Sequence, residues 1–242
     1  MFSIFKKEIN SFFSSLIAYI IIGIFLIGTG LFVWIFPDYN VLDYGYADLF
    51  VLFDYTPLVF LFLIPAITMR SFAEEKRLGT LELLFTRPLT DWQIVGGKFF
   101  ACWLLAVVAL LPTLLYYYAI YQLGEPVGNI DTAGVTGSYL GLILLAGAFT
   151  AIGIFASSLT DNQLVAFVIA VALCFMLYQG FGFLAGAEAW GNFAYTLQQL
   201  GMLFHYQALS RGLVDSRNVL YFVSLMFIMH LLTKLRLESR KW

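Results

Sequence analysis

EEKRLGTLELLFTRPLTDWQIVGGK, Glu74 to Lys98, is the longest strongly polar stretch in the chain, and it separates two long apolar runs. Of the 242 residues, 61% are hydrophobic and only 12% charged, and the mean hydropathy is +0.87, outside the range of soluble globular domains. A bilayer core about 30 Å thick takes roughly 20 helical residues per crossing. Several spans therefore fit in one transmembrane domain covering residues 1–242, with no room for a separate soluble catalytic domain. Apolar runs long enough to cross occur at about 15–36, 49–69, 99–122, 137–159, 164–185 and 218–237. The expected fold is all-α and integral to the membrane, with six transmembrane helices and both termini on one side.

Basic residues set the orientation. Lys6 and Lys7 precede the first run; Arg70, Lys76, Arg77, Arg87 and Lys98 lie between the second and third; Lys234, Arg236, Arg240 and Lys241 follow the sixth. All of these fall on one side, and only Arg211 and Arg217 fall on the other, beside Asp38, Asp43, Asp48, Glu125 and Asp131. The positive-inside rule places both termini and the 70–98 loop in the cytoplasm. The first run is too long for a signal-peptide core and lacks an A-x-A-like cleavage site, so it reads as a retained signal anchor.

The loop itself is punctuated. Arg70 to Leu78 have helical composition and Gly79 stands where a C-terminal cap belongs; Thr80 offers an N-cap oxygen and Glu82 a favourable first-turn charge for a short following helix. Leu81, Leu84 and Phe85 share one face of that short helix, which Arg87-Pro88 ends. Thr90-Asp91-Trp92-Gln93 reads as a capping box that launches the third span through Lys98. Apolar side chains held at the water side fit either the headgroup region or a groove on another protein.

The run Glu75…Gly79-Thr80-Leu81-Glu82-Leu83-Leu84, then Pro88-Leu89-Thr90, then Gly97-Lys98 opening a span, resembles the first cytoplasmic loop of ABC-2-type transporter permeases. The six-span layout is similar too. Phe204-His205, Ser210-Arg211-Gly212, Asp215, Tyr221-Phe222 and Arg240-Lys241-Trp242 look like the end of gliding-motility-associated permease subunits F, which narrows the resemblance to that group. The resemblance implies a type V exporter-like permease in a bacterial inner membrane, with a cytoplasmic coupling helix and an N-terminal interfacial helix over residues 1–14. It also implies two ABC ATPase subunits and a second permease chain, a different one bearing an extracytoplasmic domain. The ATPase-coupling interface would comprise Glu74, Glu75, Lys76, Arg77, Gly79, Thr80, Leu81, Glu82, Leu84, Phe85, Arg87 and Pro88. ATP and Mg would be bound by the partner. In this chain the nearest approach to a P-loop is Gly97-Lys98, where Phe99 replaces the magnesium-binding hydroxyl and Trp92 the first glycine.

Other features admit more than one reading. Residues 2–14, with Phe2, Ile4, Phe5, Ile9, Phe12 and Phe13 apolar, either lie flat in the interface or continue the first span into water. In the 186–216 segment, Leu197, Leu200, Leu203 and Phe204 fall at helical spacing. This segment is a helix on or dipping into the outer leaflet, by resemblance a re-entrant element, or else a docking surface for a partner. Asp215 or Ser216 caps the sixth span. Asp54 lies near the outer boundary of the second span; His230, deeper, is either a proton relay or a hydrogen-bonded packing residue. Pro57, Pro65 and Pro112 predict kinks. Gly137 and Gly141, and again Gly182 and Gly186, form G-x-x-x-G patterns for close helix packing. Cys102 and Cys174 read as small packing residues. Aromatics, at 18%, crowd the interfaces as a membrane belt rather than a nucleic-acid platform. An intramembrane enzyme lacks its paired acids or nucleophile and base, whereas a non-transporting, force-transmitting subunit of an ATPase-driven complex stays open. ATP-dependent solute flux in reconstituted vesicles separates that reading from export.

Overall fold

The computed structural model describes residues 1–36, 40–82, 89–186 and 193–239, and these contain helices and connections without a strand. In chain order the helices are α1 Phe2–Ser14, α2 Leu16–Trp34, α3 Val41–Tyr44, α4 Phe50–Thr68, α5 Arg70–Arg77, α6 Asp91–Leu110 and α7 Leu114–Leu123. There follow α8 Thr132–Leu159, α9 Gln163–Phe175, α10 Phe181–Ala185, α11 Ala194–Leu200, α12 Met202–Ser210 and α13 Ser216–Glu238. Among the described residues, five helical stretches are long and apolar enough to cross a bilayer: Phe50–Arg77, Asp91–Leu123, Thr132–Leu159, Gln163–Ala185 and Ser216–Glu238. The pair Phe2–Ser14 and Ala18–Trp34, bent by 69°, brings the number to six if counted as one span.

Helix α8 is the central post, packing against α4, α5, α6, α9, α12 and α13. Its composition explains the position. Leu142, Leu145, Ala146, Ala148, Phe149 and Ile152 are fully buried, and small residues between them let neighbours approach. A Cβ on Gly137 would stand 3.0 Å from Gly212 Cα and nearer still to the Leu209 carbonyl oxygen, while one on Gly141 would stand 3.1 Å from the Tyr206 ring. The first G-x-x-x-G pattern therefore seats α12. Among the described residues the second does not act in this way: nothing lies within 4 Å of a Cβ at Gly182, and a Cβ at Gly186 meets only carbonyls of its own helix. Gly137→Ala is expected to destabilise by about 1–3 kcal/mol, because the obstacle is backbone that cannot rotate away. Gly23→Ala on α2, where nothing lies within 4 Å, should be neutral or stabilise by up to about 1 kcal/mol. Thermal unfolding of both variants in one detergent checks the contrast.

The prolines and cysteines fall into place. Helix α4 runs on through Pro57 and Pro65, whereas Pro112 sits in a one-turn 3₁₀ segment, Leu111–Thr113, that divides α6 from α7. A π turn at Met176–Gly180, which the sequence did not announce, joins α9 to α10. Cys102 and Cys174 are free and buried in the core. Around the perimeter, Ile20, Ile24, Ile27, Phe62, Leu115, Val168, Leu220 and Phe227 are exposed, an apolar surface suited to lipid.

In the 186–216 segment, the expected single stripe is two helices that meet at Gly201, whose extended backbone (φ −83°, ψ 140°) interrupts the helical path. The buried residues are Met202, Tyr206 and Leu209 of α12, folded back on α8, whereas Leu200 is exposed. Asp215, not Ser216, caps α13: its Oδ1 accepts from the Arg217 N–H at 2.9 Å.

Candidate functional site at the end shared by the termini

Both termini reach one end of the bundle, where Ile4 of α1 and Leu237 of α13 share an apolar cluster with Phe72, Leu81, Ile94, Val95, Phe99, Ala151 and Ile154. The contact of α1 with α6 depends on Gly97. A Cβ there would stand 2.9 Å from Ile4 Cβ and 3.0 Å from the Met1 carbonyl oxygen. With that approach allowed, the neighbouring Lys98 side chain, 1% exposed, reaches across to α1. Its Nζ lies 3.0 Å from Glu8 Oε1 and 2.9 Å from Glu75 Oε1, donates to the Ser71 carbonyl at 2.7 Å, and stands 5.2 Å from the Phe72 ring centre. Lys7 completes the group, 3.0 Å from Glu75 Oε1 and 3.5 Å from Glu8 Oε1. Two carboxylates and two ammonium groups thus tie α1, α5 and the start of α6 together, and buried charges persist only when paired and hydrogen-bonded in this way.

Helix α5 is also fixed to the central post. The Ser157 hydroxyl of α8 accepts from the Phe72 and Ala73 N–H groups at 3.0 and 3.1 Å and donates to the Met69 carbonyl at 2.9 Å. It thereby satisfies backbone groups freed at the junction of α4 and α5. The Lys76 ammonium donates to the Ser158 carbonyl near the C-terminal end of α8, where cations are favoured. The C-terminus of α5 closes as the sequence predicts. Gly79 has φ +68°, its N–H donates to the Lys76 carbonyl at 3.2 Å, and the Thr80 N–H donates to the Glu75 carbonyl at 3.0 Å, a complete Schellman motif. The Thr80 hydroxyl turns back to that same Glu75 carbonyl. Further on, the capping box is present: Thr90 Oγ1 accepts from the Gln93 N–H at 3.4 Å and Gln93 Oε1 from the Thr90 N–H at 3.3 Å.

The residues expected at an ATPase interface divide into two sets. Arg77, Gly79, Thr80 and Glu82 are exposed, and Glu74 is partly so, 3.9 Å from Arg70. Glu75, Lys76 and Leu81 face inward, against the expectation that they form charged edges and part of the apolar insert. Glu75 is held by two lysines, Lys76 reaches α8, and Leu81, 4% exposed, is packed with Ile4 and Ile94. Leu84, Phe85, Arg87 and Pro88 lie outside the described residues. Sequence reading missed Glu8, Ser71, Lys98 and Ser157 as partners. One signal was available, since a helix capped at Thr90 carries Lys98 two turns into the span instead of leaving it in the loop.

Both histidines are engaged in packing. His230 Nδ1 donates to the Met226 carbonyl at 2.8 Å, and its ring meets Phe99 edge-on at 4.5 Å. At the opposite end, His205 stacks on Tyr221 at 4.0 Å, pairs with Asn218 at 2.7 Å and donates from Nε2 to the Gln199 carbonyl. No three His, Cys, Asp or Glu side chains gather at metal-binding spacing among the described residues.

A family profile described as ABC-2 family transporter protein matches residues 35–232. The chain belongs to the ABC-2 transporter family. It is accordingly a multi-pass membrane permease of an ABC transporter, whose family implies an ABC ATPase as its partner. No curated protein matches the permease. The matched range takes in every helix from α3 to most of α13 and excludes α1 and α2. The Glu8–Lys98–Glu75 network therefore bolts a helix from outside the family's matched range onto two helices within it.

Proposed function

We propose that this permease carries no nucleotide site of its own and converts ATP hydrolysis by a separate ATPase subunit into export or conformational work across a bacterial inner membrane. Its 70–98 segment is the coupling element, and each permease chain receives one ATPase subunit. Two permease chains stand side by side, the second a different one with an extracytoplasmic domain, and both termini are cytoplasmic. The narrower kinship with gliding-motility permease subunits F rests on the resemblance of Phe204-His205 and Tyr221-Phe222 to the end of those chains. The observation that carries the reading is mechanical. The loop is closed by a Schellman motif on one side and a capping box on the other, and both flanking helices are joined to α1 through Lys98. A push delivered to the end of α5 or the start of α6 is then passed to α4 and α6 together.

The side on which the loop lies is testable because both native cysteines are buried, leaving little background. Thr80→Cys should react with a membrane-impermeant maleimide in inverted vesicles and stay unlabelled in intact cells. Labelling in intact cells would overturn the assignment. A co-purifying ATPase whose turnover rises with the permease present is the companion result expected.

A further inference from the structure

At the end of the bundle opposite the termini lies a cavity of about 420 Å³ between the start of α4, the start of α8 and α12. Its size is within the range of small-molecule sites, about 300–1,000 Å³. The walls are largely apolar: Leu49, Phe50, Phe53 and Val135, with Tyr206 held in place by donating to the Phe53 carbonyl at 2.5 Å. Three carboxylates and one guanidinium also line it, Asp48, Asp54, Asp131 and Arg211, beside the polar Ser138, Gln207 and Ser210.

These charges are not equivalent. Asp48 Oδ1 accepts from the Phe50 N–H at 2.8 Å, and Asp131 Oδ1 accepts from the Ala133 and Gly134 N–H groups at 3.1 and 3.0 Å. Both therefore serve helix N-termini, where backbone donors and the helix dipole compensate a negative charge. Asp54 sits one turn inside α4, exposed beside Phe50 and Phe53 of the cavity lining, and no hydrogen bond or ion pair engages its carboxylate among the described residues. Arg211 does not reach it, although both line the same space. An acidic site built for a metal ion would bring several oxygens together at one point, and no such group is present among the described residues. What remains is a cavity with greasy walls and, at its side, one exposed carboxylate with no protein partner among the described residues.

We propose that this cavity binds a molecule carrying an ammonium group on an apolar body, with the ammonium against Asp54 and the body along Phe50, Phe53 and Val135. A charge-assisted hydrogen bond would orient the ligand and burial of its body would supply affinity. The ligand is a soluble lipophilic amine or the headgroup of an ethanolamine phospholipid. In the second case Arg211 receives the phosphate. The inference is independent of where the ATPase docks.

The test uses the purified full chain in maltoside with a dansyl-labelled alkylamine and its acetylated, uncharged form as control. The amine should bind wild type, bind Asp54→Asn at least about tenfold more weakly, and bind Asp54→Glu within about threefold of wild type, with the unfolding midpoint unchanged in each. The acetylated probe should bind all three weakly. Native mass spectrometry after exposure to phosphatidylethanolamine separates the two sources. Lipid retained by wild type but lost with Asp54→Asn and Arg211→Gln marks the phospholipid; amine binding unaffected by Arg211→Gln with no lipid retained marks the soluble amine. The proposal is overturned if Asp54→Asn binds both probes as wild type does, if the acetylated form binds equally well, or if neither amine nor lipid is held.

Discussion

Lys98→Met is expected to destabilise the purified permease by about 3–5 kcal/mol, the range found when one partner of a buried ion pair is removed. Lys98 is 1% exposed and its partners Glu8 and Glu75 are 15% and 13% exposed, so water screens little of the interaction. With the ammonium gone, two carboxylates face each other beside Lys7, whose side chain is 56% exposed. The Ser71 carbonyl loses its donor as well. One Glu75 oxygen, Oε2, is already buried without a hydrogen bond from the described residues, so they hold few donors in reserve. At about 2–4 °C per kcal/mol for a chain of this size, the thermal midpoint should fall by roughly 6–20 °C. Lys98→Met combined with Glu8→Gln and Glu75→Gln should recover most of that loss, since removing all the buried charges removes the imbalance. A midpoint within a degree of wild type for Lys98→Met would show that the network is not holding α1 to the bundle.

That network also shows where sequence reading stops. The spans were legible because lipid demands long apolar runs, and the loop's caps were legible because Gly79 and Thr90-Gln93 act on backbone within five residues of themselves. Long-range partners leave no such local mark. Lys98 counts as one more cytoplasmic cation in a positive-inside tally, yet its partners lie 90 and 23 positions away, and only the fold brings them together. Ser157 looks like any small residue of a transmembrane helix until the α4–α5 junction is seen resting on its hydroxyl. The two G-x-x-x-G patterns are indistinguishable by spacing, but α12 covers the first, and among the described residues no other helix approaches the second. In the sequence Asp54 is an acid near a span boundary; that it lines a cavity depends on α12 folding back, which the stripe Leu197, Leu200, Leu203 and Phe204 does not predict.

Leu84→Asp together with Phe85→Asp is expected to abolish stimulation of the ATPase partner and weaken its association at least about 100-fold, equivalent to roughly 2.8 kcal/mol. The reasoning is the desolvation of charge: an apolar insert turned into two carboxylates must leave them unpaired in the partner's groove or stay in water, and either choice loses the contact. The choice of residues follows from the fold around them. Leu81, on the same predicted face, cannot report docking, because it is packed with Ile4, Phe72 and Ile94, and Leu81→Asp should lower the unfolding midpoint of the permease by itself. Leu84 and Phe85 are bracketed by two caps that hold without them, the Schellman motif at Gly79 and the capping box at Thr90. As an insert that acts only in docking, the pair predicts that the double variant unfolds within about a degree or two of wild type in detergent, since substitutions at a free surface usually shift stability by less than about 0.5 kcal/mol. Measuring both quantities on one preparation separates the outcomes. Lost stimulation with an unchanged midpoint supports the pair as the insert, and unchanged stimulation and pull-down removes them from the interface. A depressed midpoint would mean that these side chains, like Leu81, pack inward, and that the ATPase grips the exposed residues Arg77, Thr80 and Glu82 instead.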